Sequence, residues 1–165
     1  MKLSEDTVEE VRREVVDDAD DITRLINFAR RKLGEVFDQD VRDVTEDEVI
    51  DEFETVLEDE DLAVNLAALV KLGEGLEVEN DYDGFIVDEI IGRRIASMIA
   101  GDDPHRTLAE STFHYIDVYT EEVVGDSDNR DEEATTTTAG YDDVLAGIAA
   151  GIQTRLPGWD WDSTT

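Results

Sequence analysis

Ser111, His114 and Asp117 together have the composition of a hydrolase triad. Nucleophilic catalysis by such a set needs an imidazole held between the hydroxyl and the carboxylate. The spacing i, i+3, i+6 denies that arrangement on a helix. At about 100° per residue, Ser111 and Asp117 point about 120° apart. No Gly-x-Ser-x-Gly elbow accompanies them. The trio therefore reads as the polar stripe of an amphipathic helix, and no catalytic residue is assigned.

A second candidate is the run Glu79-Asn80-Asp81-Tyr82-Asp83-Gly84-Phe85-Ile86. It follows the opening of a calcium-binding EF-hand loop, with oxygens at the first, third and fifth positions, Gly at the sixth and Ile at the eighth. The loop also needs a bidentate Glu at its twelfth position. Ile90 stands there, with Glu89 one residue early, and the first position is Glu where Asp is usual. The stretch reads instead as a helix–helix turn, with Asp83 capping the next helix and Gly84 relieving the backbone. Asp126, Asp128 and Asp131 have no glycine at the required place and make a weaker candidate still. The two histidines, His105 and His114, have no Glu three residues before them, which excludes the Glu-x-x-His pairs of a di-iron bundle. There is no cysteine, no Gly-rich phosphate loop with a following Lys and no dinucleotide fingerprint, so neither a metal nor a cofactor is assigned.

What remains is the chemistry of recognition. Trp159 and Trp161 alternate with Asp160 and Asp162 after Pro157-Gly158. Indoles are enriched among interface anchors, and alternate spacing puts both on one side of an extended segment. With Tyr141, near the start of the last helix, they are the candidate partner-binding residues. An extended tail of this kind adds to a partner's sheet edge or fills its pockets. The alternative is that the indoles fold back on the chain's own core. Arg30, Arg31, Lys32, Arg93 and Arg94 form local basic spots, expected to pair with surrounding carboxylates or to meet a partner's acidic rim.

These residues are carried by a chain of 165 residues with 45 Asp and Glu against 14 Lys and Arg, a net charge of −31. Only Lys2, Lys32 and Lys71 are lysines. Yet 40% of residues are hydrophobic and recur at helical spacing, which a disordered acidic tail would not show. The reading is one folded domain with an anionic skin. Its self-repulsion is strong in dilute buffer, and molar salt screens it to within about 3 Å. Asp-rich, Arg-over-Lys surfaces of this kind are similar to those of proteins from salt-in haloarchaea. The charge opposes binding to a nucleic-acid backbone or an anionic membrane. No run of about 18 apolar residues offers a transmembrane span. The opening Met-Lys-Leu-Ser-Glu-Asp has no apolar signal region, so synthesis in the cytoplasm is expected.

The elements that must position these groups are helices. Ser4 caps a first helix bearing Val8, Val11 and Val15, and the acidic run 17–21 either interrupts it or forms a polar bulge. Ile22, Leu25, Ile26, Ala29, Leu33, Val36 and Phe37 make the next stripe. Thr45 and Glu48 form a capping box before Val49, Ile50, Phe53, Val56 and Leu57. Residues 62–72 are apolar almost all round, which marks the most buried helix. A turn at 80–84 leads to a helix ending at Gly101, and Pro104 opens another that runs to about Val124. Strand signals are weak throughout. The expectation is an all-α bundle of about five to six helices with a linker, a C-terminal helix and an extended tail. The division is a helical core at 1–124, an acidic Thr-rich linker at 125–139, and a C-terminal helix with a docking tail at 140–165.

In this order the helices resemble those of the head–tail adaptor (connector) proteins of tailed viruses. Residues 22–34, Ile-Thr-Arg-Leu-Ile-Asn-Phe-Ala-Arg-Arg-Lys-Leu-Gly, are similar to that family's opening helix. The acidic helix from Glu46 corresponds to its second. Residues 86–100, Ile-Val-Asp-Glu-Ile-Ile-Gly-Arg-Arg-Ile-Ala-Ser-Met-Ile-Ala, are similar to its buried helix, and the helix from Pro104 follows in place. The resemblance implies a virion structural protein: a homo-oligomeric ring of about a dozen copies below the portal. The C-terminal segment docks on the portal protein, and the core receives neck or tail proteins. A haloarchaeal host is implied, with DNA passing a like-charged lumen. The competing expectation is a cytoplasmic haloarchaeal helical protein-interaction module, such as a regulatory subunit. It accounts for the acidity equally well.

Overall fold

Amphipathic periodicity without strand signals resolves into helices alone. The computed structural model describes residues 2–75, 81–124 and 139–159, with the side chains of 81–89, 118–124 and 139–142 outside the description. Among these residues there are seven helices and no strand: α1 (Glu5–Asp17), α2 (Ala19–Phe37), α3 (Glu46–Val56), α4 (Glu60–Gly75), α5 (Asp81–Ala100), α6 (His105–Val124) and α7 (Ala139–Arg155). The fold class is all-α, with six helices before the C-terminal one.

The acidic run breaks the first stripe. Asp18 leaves helical geometry at φ −96°, ψ 12° and both ends α1 and opens α2. Burial, with the charges of Asp21, Asp20, Asp17 and Glu14 added, pushes its carboxyl up to about 6. At the far end of α2, Asp38 takes the left-handed conformation at φ 53°. Gln39 N–H donates to Gly34 O at 2.8 Å. A Cβ on Gly34 would stand 2.7 Å from Gln39 O, so this close turn needs glycine there. The loop that follows is held by Asn27. Its Nδ2 donates to Val44 O (3.0 Å) and its Oδ1 accepts from Val44 N–H (2.8 Å). Thr45 and Glu48 then close the expected capping box, each side chain accepting from the other's backbone N–H at 3.2 Å.

The centre of the molecule is α7. It packs against α5, α6, α2, α4 and α3, and every residue from Asp143 to Thr154 is buried. This corrects two expectations. The most buried helix is α7 and not α4, whose Val64 and Leu72 are 39% and 52% exposed. The C-terminal helix is likewise integral to the core and not part of a separate docking arm, while residues 160–165 lie outside the described residues. The physical reason is residue size. Behind the expected stripe of Val144, Leu145, Ile148 and Ile152, α7 carries Ala146, Gly147, Ala149, Ala150 and Gly151. Small residues let neighbouring helices close on it from all sides. A Cβ on Gly147 would lie 2.5 Å from Gly92 O of α5, and one on Gly151 would lie 2.7 Å from Ile99 Cβ. Backbone meets backbone where α5 and α7 cross.

Residues 125–138, which include the Asp126/Asp128/Asp131 group and nearly all of the expected linker, lie outside the described residues. The expected turn at 80–84 is also revised. From Asp81 the chain is already helical, and it stays so until Gly101, at φ 89°, ends α5.

Candidate functional site

The tail was expected to present its indoles to a partner. Trp159 instead folds into its own protein, 2% exposed. The route is set by Gly158 at φ 122°, where a Cβ would stand 2.5 Å from Arg30 Nη2. Only glycine turns the chain back here without striking the guanidinium. The indole N–H then donates to Gln153 Oε1 (3.2 Å), Gln153 Nε2 donates to Thr112 Oγ1 (3.5 Å), and Thr112 donates to Leu108 O (2.7 Å). This chain satisfies the buried polar groups in one direction, from the tail through α7 to α6. Trp159 is therefore an internal strut and is withdrawn from the partner-binding set. Trp161 and the side chain of Tyr141 lie outside the described residues.

Arg30 is the largest fully buried side chain and the other half of this arrangement. It was expected to pair with carboxylates. Among the described residues it donates to three carbonyl oxygens: Arg42 O at 3.0 Å, Gln153 O at 3.4 Å, and Pro157 O. Its guanidinium also lies over the Trp159 ring, 5.5 Å from the centroid. Two of those carbonyls come from the last turn of α7 and the residues just beyond, where the helix dipole is negative. Arg30 thus caps α7 from α2. Arg155 does the same for α5, donating to Ile99 O at 3.1 Å while pairing with Glu52 at 2.7 Å. Arg31 does pair with a carboxylate, that of Asp43, at 3.2 Å.

A second charged centre fastens α1 to α4. Lys71 Nζ reaches Glu14 (2.9 Å), Glu10 (3.0 Å) and Glu74 (3.3 Å). Burial opposes its charge, but the hydrogen bonds to Glu14 and Glu10 hold its ammonium above the usual lysine range. Burial and the neighbouring Glu14 push Glu74 up to about 7. Glu14 itself stays below its ordinary value: burial works against it, and hydrogen bonds from Glu74 and Lys71 prevail. Its Oε2 is buried with no donor, unless Glu74 carries a proton. Two carboxyls thus stand beside one ammonium, and the one held ionised raises the other.

The catalytic trio is not assembled. Ser111 and His114 are exposed on successive turns of α6, and the His114 ring leans on Phe113 at 5.7 Å. The calcium-loop positions Asp81 to Ile90 run as helix, which cannot wrap an ion, while Glu79 and Asn80 lie outside the described residues. No group of three or more His, Asp or Glu among the described residues is set to hold a metal. A cleft of about 530 Å³ is lined by Arg30, Arg31, Gly34, Glu35, Asp38, Gln39, Asp40 and Val41. Its lining is mostly charged or polar, unlike the apolar walls of small-molecule sites.

The sequence reading missed the apolar side chains that stay outside. Val36 and Phe37 close α2 at 67% and 47% exposed, Val64 and Leu72 mark α4, and Ile90 on α5 is 58% exposed. The signal was present in 62–72: a helix apolar all round needs cover on every side, and this one is covered on part of its circumference.

Fold and surface together define a small all-α protein, acidic outside, with apolar residues exposed on more than one helix. Over residues 1–165 it belongs to the family described as Domain of unknown function (DUF7984). No curated protein and no solved structure matches it.

Proposed function

We propose that the protein is a virion assembly part: a head–tail adaptor that forms a ring between the portal and the neck or tail of a tailed virus of haloarchaea. The carrying observation is the exposed apolar residues on α2 and on α4, which stand out from a strongly acidic composition. A part that joins others needs such faces, and a ring former needs two unlike ones. The order α2, α3, α5, α6 follows the family resemblance of residues 22–34, 46 onward, 86–100 and 104 onward. The protein would be made in the host cytoplasm and end in the particle. No helix among the described residues is long and apolar enough to cross a membrane, in keeping with a partner set of proteins alone.

Proteomics and immunogold labelling of density-purified particles test this reading. A fixed low copy number with label at the head–tail junction supports it. Absence from particles, with the chain in host cytosol, overturns it in favour of a second reading, a haloarchaeal protein-interaction module. The α4 stripe favours that second reading, since one apolar helix face suffices to bind one partner helix.

A further inference from the structure

The helix α1 stands apart from the arrangement around α7. Alone among the described helices it has no extended contact with α7; it rests on α4, with a smaller contact to α2. One residue outside helical geometry, Asp18, joins it to α2. Its apolar hold is slight: Val11 and Val15 are buried and Val8 partly so. It is 13 residues long, a marginal length for a helix alone in water. Glu14 and Asp17 stand in its last turn, which carries no basic residue, so charge there opposes the helix dipole.

The contact with α4 is charged. Ala67, Val70, Lys71 and Glu74 share one face of that helix. Lys71 Nζ reaches Glu14 and Glu10 on α1 and Glu74 on its own helix. Three carboxylates around one ammonium leave an excess of negative charge when all are ionised, and Glu14 Oε2 is buried without a donor. The ion pair that ties α1 to α3, Arg12 with Glu54 at 3.3 Å, is exposed to solvent and weak.

We propose that α1 is a charge-gated strap: it lies on α4 while Glu74 is protonated, and it swings away about Asp18 once Glu14 and Glu74 are both ionised. Glu14, held below its ordinary value, is ionised from about pH 5 upward, so Glu74 is the gate. In the closed strap, burial and then Glu14 push Glu74 up to about 7; in the open strap it returns to its ordinary 4.5. Closure therefore weakens as pH rises from about 5 to about 7 and levels off above that. At the hinge Asp18 acts in the same direction, raised to about 6 by burial and by Asp21, Asp20, Asp17 and Glu14, although Arg24 of α2 pairs with Asp21 and Asp20. On the other helices packed against α4, the charged side chains among those described are Arg93 and Arg94 on α5 and Asp143 and Arg155 on α7. The charges that weigh most on Glu74 are those of Glu14 and Lys71. The strap is independent of what the protein joins.

Hydrogen–deuterium exchange on the full chain in molar KCl tests this. The rates are read as protection factors, which removes the intrinsic pH dependence of exchange. At every pH the amides of α1 are expected to exchange ahead of those of α7, because α1 opens without the rest. From pH 5 to pH 8 the protection of α1 should fall by about tenfold or more, the reach of a raised carboxyl discounted for its partial exposure. Glu74→Gln fixes the protonated shape and should remove that fall. Equal protection of α1 and α7 at pH 8 overturns the strap, since both would then open only with the whole fold. An α1 whose protection is the same at pH 5 and pH 8 overturns the gate. So does a Glu74→Gln variant that falls as the wild type does.

Discussion

Arg30 and Trp159 face each other with 5.5 Å between guanidinium and ring centroid, joining α2 to the turn beyond α7. The cation closes the carbonyl end of α7, and the indole seals the cation from water. Trp159→Ala would remove the cover from Arg30 and the donor from Gln153 Oε1. The expected loss is about 3–5 kcal/mol, a large part of the stability of a domain this size. Thermal unfolding in molar KCl measures it. An unchanged midpoint would show that the tail contributes nothing to the core. Trp159→Phe keeps a ring over Arg30 but leaves Gln153 Oε1 unsatisfied, and should cost about 1–3 kcal/mol.

Gly147 and Gly92 set how closely α7 approaches α5. Gly147→Ala drives a methyl into a backbone carbonyl, which cannot rotate away as a flexible side chain would. The expected cost is about 3 kcal/mol, and Gly75→Ala, with open space around it, is the control. Equal midpoints for the two variants would contradict the close packing.

The raised carboxyls of Glu74 and Asp18 make stability depend on pH. A carboxyl whose folded pKa stands above its unfolded one holds its proton more tightly when folded. Its cost is complete above the folded value and vanishes as pH falls to the unfolded one. Glu74, at about 7 against an ordinary 4.5, and Asp18, at about 6 against 3.8, both act this way. Glu9 and Glu48 act in the opposite sense. Arg12 holds Glu9 at about 2, and Arg42 holds Glu48 at about 2, so their support is present above 4.5 and is lost as pH falls toward 2. Stability should therefore rise from about pH 8 to about pH 5 and fall below about pH 4. Glu74→Gln, a fixed mimic of the protonated side chain, should flatten the upper limb and add roughly 1 kcal/mol at the alkaline end. Chemical denaturation across this range would show it. A variant with the wild-type slope would place the proton elsewhere.

The net charge of −31 predicts a fold that needs salt. Helical circular dichroism and the unfolding midpoint should both decline on dialysis from molar KCl into dilute buffer. The ion pairs at Arg12, Arg42 and Lys71 offset only a few of the carboxylates. A midpoint that does not move would refute this.

The elements legible in the sequence were those defined by local chemistry. The stripe from Ile22, the Thr45–Glu48 box and the stop at Gly101 are written in neighbouring residues, and the structure has them. The misreadings share a cause. Periodicity weighs large apolar side chains, so α4 looked more buried than α7, whose Gly and Ala positions carry almost no hydropathy signal although they permit the closest packing. Arg30 and Trp159 meet only through the closure of distant segments, and nothing near either residue announces the other. A cation paired with neighbouring carboxylates and an exposed anchor are the natural readings of each alone. The exposed residues of α2 and α4 were visible as apolar positions, but which side of a helix lacks a neighbour is decided by the packing of the other six.

The central place of α7 also bears on how the chain is made. A ribosome working from the N-terminus releases α1 to α6 before the helix around which α2 to α6 close. Until α7 emerges, the faces of α5 and α6 that it will cover remain open to water and to other chains. The final structure must therefore form after synthesis has passed residue 159, when Trp159 turns back and closes over Arg30.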